Sequence, residues 1–288
     1  MSERVIDSHI HFWDPGRLHY AWLDGTPELR RPFRPGDVDT GGYAIDGFIS
    51  VQADCRAEES LAEVDWVAQL AAEEPALRAV VAHVAVERGV RSGEAVAAMA
   101  ARPEVVGVRR LLQDEPPGFA VAAGFVAGVR LVGEHDLVFD LCVRHHQLAE
   151  VAGLVDRCPE VRFVLDHVGK PAIAAGRWAS WRQELADLAQ RPNVSCKLSG
   201  LTTEAGGDGA GRIVPYLQHA LDVFGPHRCM YGSDWPVATL TTSYVRWLEL
   251  VLAAIDDLPE TERRRVLHGT AATVYGLTPT DSKVVPPC

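Results

Sequence analysis

The chain contains 288 residues, of which 47% are hydrophobic and 23% are charged. This length is typical of one α/β barrel, and the apolar content predicts a folded core rather than a disordered chain. The formal net charge of -11 at pH 7 disfavours nucleic acid as a partner and leaves a neutral or modestly polar small molecule as the expected substrate. Because the first residues are charged and no apolar run reaches about 18 residues, we expect no leader peptide, no membrane span and a cytoplasmic location.

In chain order, eight short apolar runs rich in β-branched residues indicate strands. They cover residues 4–7, 47–52, 78–86, 105–109, 137–143, 162–167, 194–198 and 228–232. Between most of them lie stretches with helical periodicity, such as ESLAEVDWVAQLAAEE and HQLAEVAGLVDRC. Alternating strands and helices predict a parallel sheet, and eight such units close into a single, distorted (β/α)8 TIM barrel. We assign residues 1–277 to this barrel and residues 278–288, which carry no pattern, to a C-terminal tail.

The first predicted strand is followed by HIHFWDP rather than by the glycine-rich phosphate loop that is typical of doubly wound sheets. This difference favours the barrel over an open sheet. The next segment, residues 15–44, lacks clear periodicity and contains several prolines and aromatic residues. We therefore expect a long loop there, placed to form a lid or a wall of the site.

The six cysteines are scattered through the chain without a CxxC pair, at Cys55, Cys142, Cys158, Cys196, Cys229 and Cys288. Several of them lie inside apolar runs such as FDLCV. We expect reduced and mostly buried thiols.

Two histidines, His9 and His11, end the first predicted strand. Residues two apart on a strand point to the same side, so both imidazoles can face the barrel interior. Barrel enzymes build their active sites at this carboxyl end of the strands. An HxH pair is weak evidence by itself, and a purely structural role stays open.

The sixth predicted strand, in VRFVLDHVGKP, ends at His167 just before Gly169. A histidine at a strand tip before a glycine turn is placed like a catalytic group. Alternation along the strand predicts that Asp166 points the opposite way and bonds to neighbouring backbone.

An aspartate, Asp234, directly follows the last strand in RCMYGSDWPVATL. An aspartate with two or three histidines at strand ends suits a divalent metal ion, or a general base that activates water. The alternative is an aspartate that only caps a loop.

The motifs IDSHIHFWDP, GVRRLLQDEP, LDHVGKP, CKLSGL, YGSDWPV and VLHGTAATVYGL occur in this order across nearly the whole chain. Together they resemble the amidohydrolase-related (amidohydrolase 2) family of barrel hydrolases, and within it the sugar-acid lactonases such as L-fuconolactonase and L-rhamnonolactonase. The resemblance implies that His9, His11, His167 and Asp234 surround one divalent metal ion, with zinc favoured, which catalysis does not necessarily need. It also implies that Asp234 and His167 are catalytic.

Two positions depart from the family pattern. Many metal-dependent relatives supply a further histidine from strand five, whereas FDLCVRHHQL places His145 and His146 just beyond the end of that strand. This difference leaves the completeness of a metal shell open. Near the C-terminus, GTAAT stands where the family usually has an Asn-Ala pair, at a helical position that we expect to serve packing.

Other side chains near strand ends are candidate substrate contacts. They are Gln52, Arg109, His145, Lys197, Trp13 and Trp235. Alternation lets only one of Arg109 and Arg110 face inward, and we favour Arg109. Solvated surface roles are the alternative for Arg109 and Lys197, and plain packing is the alternative for the two tryptophans as walls for a sugar ring.

The predicted activity is hydrolysis of a small sugar-acid lactone, in which Asp234 takes a proton from the water that attacks the ring ester. The alternative is a zinc-dependent decarboxylase of an aromatic or muconate-type acid, since those relatives share the HxH pair and the late aspartate. A barrel that only binds sugars is a third, disfavoured hypothesis because all four core positions are filled. Whether the enzyme is a homo-oligomer, a common state for such proteins, is left open.

Overall fold

The computed structural model describes residues 4–207 and 209–277. Eight strands form one sheet in sequence order, and each pairs in parallel with the next. The strands are β1 (Arg4–Ile10), β2 (Ala44–Val51), β3 (Leu77–His83), β4 (Val105–Leu111), β5 (Val138–Cys142), β6 (Phe163–Leu165), β7 (Val194–Leu198) and β8 (Cys229–Tyr231). The predicted (β/α)8 barrel is therefore confirmed.

The barrel closes between β1 and the segment that follows β8. The N–H of Asp234 donates to the carbonyl of His9 at 2.7 Å, and the N–H of His11 donates to the carbonyl of Trp235 at 2.7 Å. Ile10 and Trp235 form an isolated parallel bridge at the same place. Closure thus brings the HxH pair of the first strand into backbone contact with the aspartate after the last strand.

Helices cover the outside of the barrel, in the crossovers that parallel pairing requires. They are α1 (Ser60–Glu73), α2 (Gly93–Ala100), α3 (Ala123–Glu134), α4 (Leu148–Arg157), α5 (Trp178–Leu188), α6 (Leu201–Ala205), α7 (Ala210–Phe224), α8 (Tyr244–Ala254), α9 (Glu260–Arg264) and α10 (Thr270–Val274). Helix α4 shows why the helices pack against the sheet. Its apolar residues recur at helical spacing and are all buried, namely Leu148, Val151, Leu154 and Val155.

Side chains alternate between the inside and the outside of the barrel, because successive strand residues point to opposite faces. One buried cluster consists of Ile6, Ile49, Val51, Ala79, Val81, Val138, Val164, Met230, Ala271 and Tyr275. The last two come from the C-terminal helical segment. Arg162, just before β6, donates to the carbonyl of Val274 at 2.9 Å. Helix α10 therefore covers the amino-terminal end of the barrel, and the opposite mouth remains for a site.

Two strands end at least two residues earlier than the sequence predicts. β3 ends at His83 rather than at residue 86, and β6 ends at Leu165 rather than at residue 167. His167 and Val168 adopt left-handed backbone angles, with φ of 53° and 54°, so the extended conformation stops at Leu165. This turn redirects the side chains at the tip of β6.

The long loop expected at residues 15–44 contains short 3-10 turns at Ala21–Gly25, Pro27–Leu29 and Pro35–Asp37. Trp13 and Phe33 pair across its base. The predicted tail, residues 278–288, lies outside the described residues together with Cys288, whereas the five cysteines within them are buried and free. Across the two described ranges, no helix combines the length and the apolar character needed to cross a bilayer.

Candidate active site

Three imidazoles converge on one carboxylate at the carboxyl ends of the strands. Oδ1 of Asp234 lies 3.4 Å from Nε2 of His11, 3.7 Å from Nε2 of His9 and 4.0 Å from Nε2 of His167. All four side chains are buried, with 0 to 6% of each residue exposed. The structure therefore brings together the four residues that the sequence singled out.

Local backbone conformation makes this convergence possible. His167 and Asp234 have φ of 53° and 60°, which turns each side chain away from its strand direction and toward the centre of the mouth. Neighbouring glycines leave the necessary space: a Cβ on Gly200 would lie 2.5 Å from Nδ1 of His167, and one on Gly232 would lie 2.7 Å from Cβ of His9. Side chains at these two glycines would push the imidazoles out of position.

The outer nitrogen of each imidazole has its own partner. Nδ1 of His11 donates to the carbonyl of Val51 at 2.8 Å, Nδ1 of His167 contacts Oγ of Ser199 at 2.9 Å, and Nδ1 of His9 lies 3.1 Å from Oδ1 of Asp166. An Nδ1 proton held in this way leaves the lone pair of Nε2 directed at the centre. Imidazole nitrogens and one carboxylate oxygen are a donor set that fits a divalent ion such as zinc.

The electrostatics of the cluster favour neutral imidazoles around an ionised carboxylate. Burial lowers the pKa of His167 to about 4 and lowers the pKa of His9 well below its usual value. Burial opposes ionisation of Asp234, but His167, His11 and His9 outweigh it and hold the pKa of Asp234 below its usual range. Asp234 is therefore ready to accept a proton or to bind a cation near neutral pH.

A buried ionic network lies directly beneath the histidines. Nζ of Lys197 lies 2.5 Å from Oδ2 of Asp140, 3.1 Å from Oδ1 of Asp166 and 3.2 Å from Nδ1 of His9. The hydroxyl of Tyr275 donates to Asp140 at 2.9 Å. Lys197, Asp140 and Asp166 are each 0% exposed. Such a network supports its members only because every charge is paired.

Two sequence predictions need correction here. Lys197 does not reach the substrate cavity, because its side chain extends into the barrel below His9. Its ammonium group is ion-paired there with Asp140 and Asp166. Asp166 does not point away from the site, since β6 ends before it and strand alternation no longer applies. It accepts from His9 and pairs with Nη1 of Arg109 at 3.2 Å.

The choice between the two arginines of β4 is resolved. Arg109 points inward, where its guanidinium contacts Asp166 and donates to the carbonyl of Gln52 at 2.7 Å. Arg110 points outward and pairs with Glu87 at 3.2 Å and Glu115 at 2.6 Å. Strand alternation produces this division, as the sequence predicted.

Above the cluster opens a cavity of about 220 Å³. It is lined by His11, Trp13, Trp22, Ala53, Asp54, Arg109, Leu111, Gln113, Cys142, His167, Lys170, Asp234 and Val237. Of the predicted substrate contacts, Arg109 and Trp13 belong to this lining. Trp22 comes from the loop at residues 15–44, which the sequence analysis expected to form a lid or a wall of the site. The sequence analysis missed Asp54 and Lys170, which lie on irregular segments where no periodic pattern indicates direction.

The other predicted substrate contacts lie elsewhere. The amide oxygen of Gln52 accepts from the N–H of Asp54 at 2.6 Å, which holds the loop after β2. The ring of Trp235 packs against Phe12 and Phe33, behind the wall of the cavity. His145 stacks edge-on with His146 in a 3-10 turn beyond β5. None of these three residues belongs to the cavity lining given above, and their role as substrate contacts stays a prediction.

Comparison with known proteins shows the family. The sequence model of the amidohydrolase family matches residues 6–277 of this chain. The chain belongs to this family. An L-fucono-1,5-lactonase of Burkholderia multivorans is 36% identical over 99% of this amidohydrolase and 100% of the relative. An L-fucono-1,5-lactonase of Burkholderia ambifaria is 32% identical over 94% of each chain.

Solved structures agree with this assignment. The crystal structure of an amidohydrolase from Burkholderia multivorans with bound zinc has a TM-score of 0.85 and 37% identity, and covers 95% of this amidohydrolase and 99% of that chain. A 2,6-dihydroxybenzoate decarboxylase has a TM-score of 0.69 at 15% identity, and covers 96% of this chain and 100% of that one. This second likeness shows the shared fold alone.

Proposed function

We propose that this amidohydrolase hydrolyses a sugar-acid lactone, specifically an aldono-1,5-lactone of the L-fuconate type. The observation that carries the proposal is the ionised Asp234, ringed by three imidazole Nε2 atoms at the floor of a cavity large enough for a small ring. The two relatives named L-fucono-1,5-lactonase support the choice of substrate. The product would be an open-chain aldonate, and we propose that the enzyme acts in carbohydrate breakdown.

In the proposed mechanism, Asp234 is the general base. Its carboxylate accepts a proton from a water molecule, and the oxygen of that water attacks the lactone carbonyl. Negative charge then develops on the former carbonyl oxygen, and the buried guanidinium of Arg109 at the floor of the site supplies positive charge that can stabilise it. The ring C–O bond then breaks as the carbonyl re-forms, and the leaving oxygen takes the proton from Asp234 to become the hydroxyl of the aldonate.

The same four residues would hold a divalent cation, with zinc proposed as the metal. His9, His11 and Asp234 form a cluster whose ligand atoms all lie within 4.8 Å of one another, and His167 adds a further Nε2 4.0 Å from Asp234. A bound cation would supply Lewis-acid polarisation of the carbonyl and a more acidic water. Asp166 then has a defined task, because it accepts the Nδ1 proton of His9 and so favours the tautomer whose Nε2 carries a lone pair.

The alternative activity, decarboxylation of an aromatic or muconate-type acid, has weaker support. Its structural relatives share 15 to 16% identity, and they carry only the fold. The cavity also contains two carboxylates, Asp54 and Asp234, which disfavour a substrate with several negative charges.

The experiment is a pH-indicator screen of aldonolactones with metal-free protein, repeated after addition of Zn(II) or Mn(II). We expect proton release with L-fucono-1,5-lactone and smaller rates with lactones of other configurations. Activity in the metal-free arm would show that the cation is dispensable. If no aldonolactone is opened in either arm, the proposed reaction is wrong, and decarboxylation should then be assayed with zinc-loaded protein.

A further inference from the structure

The substrate cavity has two chemically different sides. Strand order runs from β1 to β8 around the barrel, so the end of β5 lies across the mouth from the end of β1. Trp13 and Trp22 come from the segment after β1, whereas Gln113 and Lys170 come from the segments after β4 and β6, on either side of β5. A bound ring therefore lies between the indoles and the Gln113–Lys170 pair.

On the tryptophan side, where Asp54 also lines the cavity, the two indoles offer only apolar contact. Nε1 of Trp13 donates to the carbonyl of Leu29 at 3.1 Å, and Nε1 of Trp22 donates to the carbonyl of Ala53 at 2.8 Å. Both indole N–H groups are thus occupied by backbone oxygens. The rings meet edge to face at 5.1 Å, so fully buried Trp13 supports half-buried Trp22 from behind. Trp22 presents carbon surface to the cavity, which suits the C–H face of a sugar ring or a deoxygenated carbon.

The opposite side keeps hydrogen-bonding capacity. Nζ of Lys170 lies 2.5 Å from Oε1 of Gln113, and this contact uses one of the three ammonium protons. Sγ of Cys142 also approaches Oε1 of Gln113, at 3.8 Å, so the amide oxygen is fixed from below and the amide nitrogen is left for a ligand. The pair therefore presents several donors that its own contacts do not consume.

Arg109, the other cationic side chain of the lining, belongs to the floor of the site rather than to this side. Its Nη1 contacts Asp166, its Nη2 donates to the carbonyl of Gln52, and only 4% of the residue is exposed. Within residues 4–207 and 209–277, Lys170 and Gln113 are thus the donors above the catalytic cluster that are available to a substrate.

We infer that Lys170 and Gln113 form a hydroxyl-recognition pair that makes the enzyme selective for polyhydroxylated lactones over unsubstituted ones. The Lys170 ammonium and the Gln113 amide donate to two ring hydroxyl oxygens, while the indoles cover the apolar side of the ring. The pair acts on binding and not on the bonds that break, since the base and the imidazoles lie at the floor. This inference rests on the proposed lactone hydrolysis.

The test compares two six-membered lactones, L-fucono-1,5-lactone and δ-valerolactone, which lacks hydroxyl groups. Lys170→Met keeps an unbranched side chain at a residue whose φ is 45°, so the backbone cost hardly changes, and Gln113→Leu keeps volume. We expect each variant to lose about tenfold or more in kcat/KM for L-fucono-1,5-lactone, mainly through KM, because hydrogen bonds to a charged or buried partner are lost. The kcat/KM for δ-valerolactone should stay within about twofold of wild type.

Arg144→Met is the matched control, because it removes a positive charge near the same edge of the barrel without touching the cavity. It should leave both lactones unaffected, and melting temperatures should show that all three variants fold. An equal loss for both lactones, or no loss for either, overturns the recognition role while the proposed function stands. A wild-type enzyme that opens neither lactone overturns the proposed function and this inference together.

Discussion

Replacing Asp234 by Asn separates the chemistry of the site from its architecture. The backbone of Asp234 has φ of 60°, a conformation that asparagine tolerates better than most residues, and its N–H bond to the carbonyl of His9 involves no side-chain atom. The substitution therefore keeps size, backbone conformation and the closure of the barrel. It removes the negative charge, and with it the basicity, that lets the carboxylate accept a proton from water.

The expected loss follows from that single change. General-base catalysis is typically worth about a hundredfold to ten-thousandfold in rate. We predict that Asp234→Asn lowers kcat by at least about a hundredfold, equivalent to about 2.7 kcal/mol of transition-state stabilisation, and leaves KM within about threefold. Because the side chain is buried beside neutral imidazoles, the melting temperature should stay close to that of the wild type.

The assay is initial-rate proton release from L-fucono-1,5-lactone, with thermal melting measured on the same preparations. Asp54→Asn is the matched control, since Asp54 lines the same cavity and has φ of 58° but lies outside the histidine cluster. It should lose less than about tenfold in kcat. Wild-type turnover in Asp234→Asn, or a large fall in its melting temperature, would refute the assignment and move the base to His167.

Three further predictions concern metal, network and pH. The double change of His9 and His11 to Ala should reduce bound zinc, measured by elemental analysis, together with activity, while circular dichroism stays native; unchanged metal and rate would return both histidines to a structural role. Tyr275→Phe removes the phenolic donor to buried Asp140 and should lower the free energy of unfolding by about 1.5–3 kcal/mol in urea titrations, whereas an unchanged midpoint would contradict the network. Burial raises the pKa of Glu63 from its usual 4.5 to about 7, so its contribution to stability is present below pH 4.5 and is lost as pH rises to about 7. Glu63→Gln should accordingly gain up to about 3 kcal/mol relative to wild type between pH 4.5 and pH 8, and a pH-independent difference would argue against a raised pKa.

The sequence predicts those features that depend on local pattern. Strand and helix periodicities are sufficient for the barrel, and the tips of β1, β6 and β8 place His9, His167 and Asp234 at its mouth. Alternation also predicts that Arg109 rather than Arg110 faces inward, because β4 continues to Leu111 as a regular strand. Local rules are reliable for His9 and Arg109 because both lie on buried, regular strands. For His167 and Asp234 they give the correct strand ends, although left-handed turns set the direction of those side chains.

The features that the sequence did not predict depend on pairing over long distances. Lys197 and Asp140 are 57 residues apart, and Tyr275 and Asp140 are 135 residues apart, so no spacing in the chain announces either contact. Asp166 was misplaced for a different reason. The left-handed turn at His167 breaks the alternation on which its predicted direction depended, and nothing in VLDHVG marks a strand end two residues early.

The closure of β1 onto the segment after β8 has a consequence for synthesis on the ribosome. The hydrogen bond from Asp234 to His9 joins residues that the ribosome delivers 225 positions apart. At roughly 5–20 residues per second, the outer edge of β1 waits roughly 10 to 45 seconds for its partner, with its backbone groups open to other chains. The first strand therefore keeps an open edge during synthesis until the segment after β8 emerges and pairs with it.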